Sequence, residues 1–135
     1  MAIRVLVVGE HQAVREALVM RLKSFPELEV LGAVPAAEEG LASARSLQPD
    51  VILFDLQGAS ARDSNALRRL TSASGLNDQT GAPPAVIALA SYAVEEEREW
   101  VVRAGARQYL LKTIDSNRLL EEIRAAAPAL ATVPG

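Results

Sequence analysis

Leu47-Gln-Pro-Asp-Val-Ile-Leu-Phe-Asp-Leu56 sets an unbroken apolar run, Val51 to Phe54, between Pro49-Asp50 and a second acid, Asp55. Such a run lacks polar alternation, as expected of a strand whose two faces are both covered by helices. Pro49 cannot continue a helix arriving from the N-terminal side, so the boundary before the run is sharp. Asp55 then stands where the strand opens into a loop.

Working outward, Arg4 to Val8, Val30 to Val34, Val86 to Leu89 and Gln108 to Leu111 read as further strands. Between them lie stretches of helical period: Ala13 to Ser24, Ala37 to Leu47, Ser64 to Thr71, Val94 to Ala104 and Asp115 to Ala126. Five strand-helix units in strict alternation predict an α/β fold, a doubly wound five-stranded parallel sheet with right-handed crossovers. Asp115 is placed to cap the last helix, with Leu119, Leu120 and Ile123 as its buried stripe. Val94, Val101 and Ala104 form the corresponding stripe of the fourth helix; Trp100 beside it reads as half-buried packing, with an exposed anchor for a partner as the alternative. The Ser, Gly, Asn, Asp and Pro residues from Ser72 to Pro84 predict a long surface loop. Residues 1–126 are expected to form one domain, with 127–135 an Ala/Pro/Gly tail or the start of a linker.

The 135 residues, half of them apolar, suit a single core. Seventeen acidic residues against 14 basic ones leave no basic field for nucleic acid phosphates or an anionic membrane. No direct nucleic acid contact and no membrane span are expected. The absence of cysteine excludes disulfides and thiolate metal sites, and fits a cytoplasmic protein.

In an open parallel sheet the ligand crevice lies beyond the carboxyl ends of the strands. The groups delivered there are Gly9 and Glu10, Asp55, Ala90 and Ser91, and Lys112. A carboxylate with an ammonium and a second acid suits an aspartyl phosphate: Asp55 attacks phosphorus and Lys112 pairs with the new charge. It equally suits a structural ion pair, and order and composition leave both readings open. Gly9 lacks the further glycines of a dinucleotide-binding loop, because Gly9-Glu-His-Gln-Ala-Val14 has none. A phosphatase with an aspartate nucleophile would need a second Asp two residues on, and position 57 is Gln.

Four segments in order, Ile3-Arg-Val-Leu-Val-Val8, His11-Gln-Ala-Val-Arg-Glu-Ala-Leu18, Leu47 to Leu56, and Arg103-Ala-Gly-Ala-Arg-Gln-Tyr-Leu-Leu-Lys112, resemble the receiver domains of two-component response regulators. The nearest likeness is to receivers that precede a LuxR-type helix-turn-helix. The resemblance covers residues 3 to 124 and implies the flavodoxin-like (CheY-like) three-layer αβα arrangement. It makes Asp55 the phosphoacceptor, Lys112 the lysine that senses the phosphoryl group, and Tyr109 the aromatic switch residue. It implies Mg²⁺ held by Glu10, Asp55 and the backbone carbonyl of Gln57. A histidine kinase or a small phosphodonor is the implied partner, with a homodimer or a following DNA-binding domain as output, and no enzyme activity.

The departures are specific. Family members end the first strand with two acids; here Gly9 carries no ligand and Glu10 is one methylene longer, so metal binding should be weak. The switch hydroxyl of the family falls on Ala90, which has none, and Ser91 substitutes only if the strand end bends. Gly58-Ala-Ser-Ala-Arg62 replaces the proline-containing turn after the phosphoacceptor. The alternative is therefore a degenerate receiver that acts as a phosphorylation-independent dimerisation or docking module. His11 reads as a surface or capping group, and Glu95-Glu-Glu97 as a solvated first turn.

Overall fold

Every residue of Val51–Asp55 is buried, and this strand, β3, occupies the middle of the sheet. The computed structural model describes residues 2–57, 61–73, 75, 77–78 and 80–128. Around β3 the elements run β1 (Ile3–Val8), α1 (Gln12–Lys23), β2 (Leu28–Val34), α2 (Ala37–Leu47), then α3 (Ala61–Ala73), β4 (Ala85–Ala90), α4 (Glu95–Arg103), β5 (Gln108–Leu111) and α5 (Ser116–Ala126). Strand order is β2-β1-β3-β4-β5, with every pairing parallel.

Residue parity along the strands sorts the core into two layers. Leu6, Val8, Ile52, Phe54, Val86 and Ala88 pack against α2, α3 and α4. Val5, Val7, Val51, Leu53, Ile87 and Leu89 pack against α1 and α5. This is the three-layer αβα architecture expected, and each fully buried Leu, Ile or Val contributes about 1.5–3 kcal/mol. The strand order reverses between β1 and β3, so the crevice at their carboxyl ends receives Gly9, Glu10 and Asp55.

Helix α3 is longer than the sequence predicts, beginning at Ala61 and ending at Ala73. The polar residues at its end find backbone acceptors: the Ser72 hydroxyl donates to the Arg68 carbonyl at 2.5 Å and the Thr71 hydroxyl to the Ala104 carbonyl at 2.9 Å. Ala61 and Arg62 belong to this helix, and residues 58–60 of the expected turn lie outside the described residues. Within the segment before β4, Asn77 is buried rather than on the surface. Its side-chain amide donates to the Gln48 carbonyl at 2.7 Å, just beyond α2, where Gln48 takes the left-handed conformation (φ 52°) common at helix ends.

Asp115 caps α5 by accepting from the Arg118 N–H at 3.4 Å, and Leu119, Leu120 and Ile123 are buried as expected. On α4 the expectation needs correction. Val94 is 45% exposed because it is the extended residue before the helix, and Glu97 is buried in the first turn. Trp100 is half-buried against the α2–α4 layer. Gly105, at φ 106°, has no room for a side chain: a Cβ there would lie 2.7 Å from the Thr71 hydroxyl, which fastens α3 to the end of α4 through the Ala104 carbonyl.

Candidate functional site

Asp55 ends β3 at 1% exposure, with the parity of Val51 and Leu53. A carboxylate so buried is costly unless it is paired. Lys112 supplies the pairing. Its backbone N–H donates to the Ala90 carbonyl at 2.8 Å, which carries the β5 end across to β4. Its ammonium, on a side chain 21% exposed, forms an ion pair with Asp55 Oδ1 and donates to the Leu56 carbonyl at 3.1 Å. The other carboxylate oxygen, Oδ2, accepts from the Gln57 side-chain amide at 3.2 Å. The Gln57 N–H in turn donates to buried Asp63 of α3 at 2.9 Å.

The opposite wall is Gly9. A Cβ placed there would lie 2.8 Å from Asp55 Cβ and 3.3 Å from Oδ2, so Asp55 packs directly on the glycine backbone. Glu10 is exposed at the lip, and Arg15 of α1 binds this turn by donating to the Gly9 and Glu10 carbonyls at 2.7 and 3.0 Å. Asp55 opens onto a cleft of about 410 Å³ bordered by Glu10, Glu38, Gln57, Asp63 and Arg69. Glu38 and Arg69 join α2 to α3 across it at 3.5 Å.

Among the described residues no three acids or histidines are grouped to hold a metal ion. The donors present do not fit an ordinary Mg²⁺ site: both Asp55 oxygens already have partners, and position 9 has neither an acid nor space for one. Ala90 ends β4 fully buried, and Ser91 lies beyond the strand and is exposed.

Tyr109 lies on the α2–α4 face and is buried. Its hydroxyl donates to Glu97 Oε1 at 2.5 Å and accepts from the Val94 N–H at 3.3 Å, with the Tyr92 carbonyl 3.0 Å away. The Arg98 guanidinium stands 5.4 Å from the ring centre. Burial, then the hydrogen bond to Glu97, pushes the Tyr109 phenol above its ordinary value. His11 is exposed and makes no side-chain cap to α1.

Asp55, Lys112 and Gln57 are thus brought together, while Tyr109 sits on the other face and Glu10 stays at the rim. Arg15, Asp63 and Glu97 are site residues that the sequence pattern does not mark. Asp63 was the most accessible of them, an acid in the first turn of the helix after Asp55.

The model of the response regulator receiver domain matches residues 5–124. The transcriptional regulatory protein LiaR of Bacillus subtilis is 35% identical over 125 residues, covering 93% of this chain and 56% of LiaR. The response regulator GacA of Pseudomonas protegens is 32% identical, covering 90% of this chain and 54% of GacA. The chain therefore spans about half the length of these relatives. Among solved structures, the response regulator domain of Thermotoga maritima CheB superposes with a TM-score of 0.75 at 28% identity, covering 93% of this chain and 96% of that one. The signal receiver domain of NarL from Mycobacterium tuberculosis shares the fold, with a TM-score of 0.77 at 19% identity over 92% of this chain and 94% of that one. Receiver domains typically bind Mg²⁺ at their acidic pocket, the feature that is reduced here. With the parallel sheet, the paired Asp55 and Lys112 and these likenesses in view, the chain belongs to the receiver domains of two-component response regulators.

Proposed function

We propose that this receiver accepts a phosphoryl group on Asp55. A carboxylate oxygen of Asp55 attacks phosphorus, the bond from phosphorus to the donor's leaving atom breaks, and the Lys112 ammonium pairs with the new phosphoryl oxygens. The carrying observation is the buried ion pair between Asp55 and Lys112 at the ends of β3 and β5. Lys112 orients the nucleophile, which the surrounding strands keep away from bulk water. The donor is a histidine kinase or a small acyl phosphate. Mg²⁺ would be held only weakly, through Glu10, Asp55 and the Gln57 carbonyl, because both Asp55 oxygens already have partners. Tyr109 with Ala90 and Ser91 forms the switch region, and Ala90 supplies no hydroxyl to tie the two faces together.

In this reading residues 1–126 are the receiver unit and 127–135 lead toward an output segment. The likeness to the transcriptional regulatory protein LiaR supports transcriptional output through a domain beyond this one. The domain itself, with net charge −3, makes no nucleic acid contact and acts through dimer or effector contacts as a cytoplasmic regulator rather than an enzyme. No described helix is long and apolar enough to cross a membrane.

The test is incubation with a small acyl phosphate and Mg²⁺, followed by mass spectrometry of the intact protein. A phosphoryl adduct absent from Asp55→Asn is expected. No adduct even at high Mg²⁺ defeats the reading and leaves the docking module.

A further inference from the structure

Two arginines of α1 reach the backbone of the loops around Asp55. Arg15 binds the Gly9 and Glu10 carbonyls on one side. On the other, Arg21 uses all three of its nitrogens: Nε donates to Ser116 Oγ at 3.0 Å, Nη1 to the Lys112 carbonyl at 3.1 Å and Nη2 to the Ile114 carbonyl at 2.5 Å. The segment it grips is the irregular turn from Lys112 to Ser116, between β5 and α5. The Lys112 N–H is already bound to Ala90, so Arg21 fixes the carbonyl side of the residue whose N–H side the sheet fixes. A planar, always charged fork with five donors can satisfy three acceptors at once, which a lysine ammonium on a flexible stem does poorly.

We propose that Arg21 is a positioning residue for Lys112: it holds the peptide from which the ammonium departs, and so sets where that charge meets Asp55 and the incoming phosphoryl group. The consequence for phosphorylation rests on Asp55 being the phosphoacceptor; the geometric claim does not. It also ties the last turn of α1, next to exposed Met20, to the phosphorylation centre.

The test compares Arg21→Ala and Arg21→Lys in two backgrounds, one with Lys112 and one with Lys112→Ala. With Lys112 present, Arg21→Ala should slow adduct formation on Asp55 by roughly tenfold, the order expected when a catalytic group is displaced by a fraction of an ångström, and Arg21→Lys should not restore it. Without Lys112 the same substitution should change the rate less than about twofold, because no ammonium remains to be placed. Equal losses in both backgrounds would mean a merely structural role and overturn the proposal. A second readout needs no phosphodonor: acylation of the Lys112 amine, followed by mass spectrometry, should quicken several-fold in Arg21→Ala. Unchanged labelling overturns the proposal. A wild-type protein that takes no phosphoryl group defeats the Asp55 reading alone, and labelling then decides this one. Arg21→Gln, which keeps one side-chain amide donor group, carries both assays if Arg21→Ala does not fold.

Discussion

Two turns flank Asp55, the one after β5 that carries Lys112 and the one after β1 that carries Gly9 and Glu10, and an arginine of α1 binds each. The Lys112 turn delivers a charge to the carboxylate, with the strand pairing, the Leu56 carbonyl and Arg21 all holding it. The Gly9 turn delivers only backbone and leaves its one acid at the rim. Electrostatic support for Asp55 is therefore one-sided. What remains is the half that needs no metal, and Gln57 covers the oxygen that faces the depleted side.

The largest break in this comparison comes from removing Lys112. Lys112→Ala leaves a buried carboxylate without its counter-charge and should cost about 3 kcal/mol, the low end for a broken buried pair because the lysine is partly exposed. Urea denaturation measures it, and Asp55→Asn in the same background should recover much of the loss. A cost under about 1 kcal/mol would mean that the pair behaves as an exposed one.

Restoring an acid on the other side should be smaller in effect and still unfavourable. In Gly9→Asp the new Cβ meets Asp55 Cβ at 2.8 Å, so overpacking should cost about 1–3 kcal/mol, and Mg²⁺ should not recover it. Gly9→Asp with unchanged stability and tight Mg²⁺ binding would show that the two sides differ only in sequence, not in packing.

The smallest effect lies further along β5. Tyr109→Phe removes the hydroxyl held by Glu97 and should cost about 1–2 kcal/mol near neutral pH. The phenol's folded value is raised above an unfolded value near 10, so the folded state keeps its proton where the unfolded chain has lost it. The stability that Tyr109 contributes is full below about pH 10 and falls as pH rises through the window up to the folded value. Denaturation of wild type and Tyr109→Phe at several alkaline pH values should show their difference shrinking there. A constant difference would remove the linkage.

The strands and the Asp55 and Lys112 pair were legible because apolar runs without alternation mark buried parallel strands, and a charge at such an end has few places to go. Arg21 was not legible. A basic residue in the last turn of a helix is ordinarily explained by the helix dipole, and carbonyl acceptors 91 and 93 residues away leave no trace in composition or period. Glu97 was misread for the same kind of reason: one of three consecutive glutamates points inward because Tyr109 waits on β5, which only the packing of α4 on the sheet reveals. The start of α3 was misplaced because Ala61 and Arg62 follow Gly58, Ala59 and Ser60, and local sequence there reads as turn.

The most direct measurement of the one-sided site is the melting temperature of the unphosphorylated protein as Mg²⁺ is added. With a dissociation constant at or above ~10 mM, 1 mM Mg²⁺ stabilises by no more than about 0.06 kcal/mol, and the shift should stay under about 1 °C. A rise of several degrees at 1 mM would contradict the account, since it would require a cation site that Gly9, Glu10 and the bonded Asp55 do not provide.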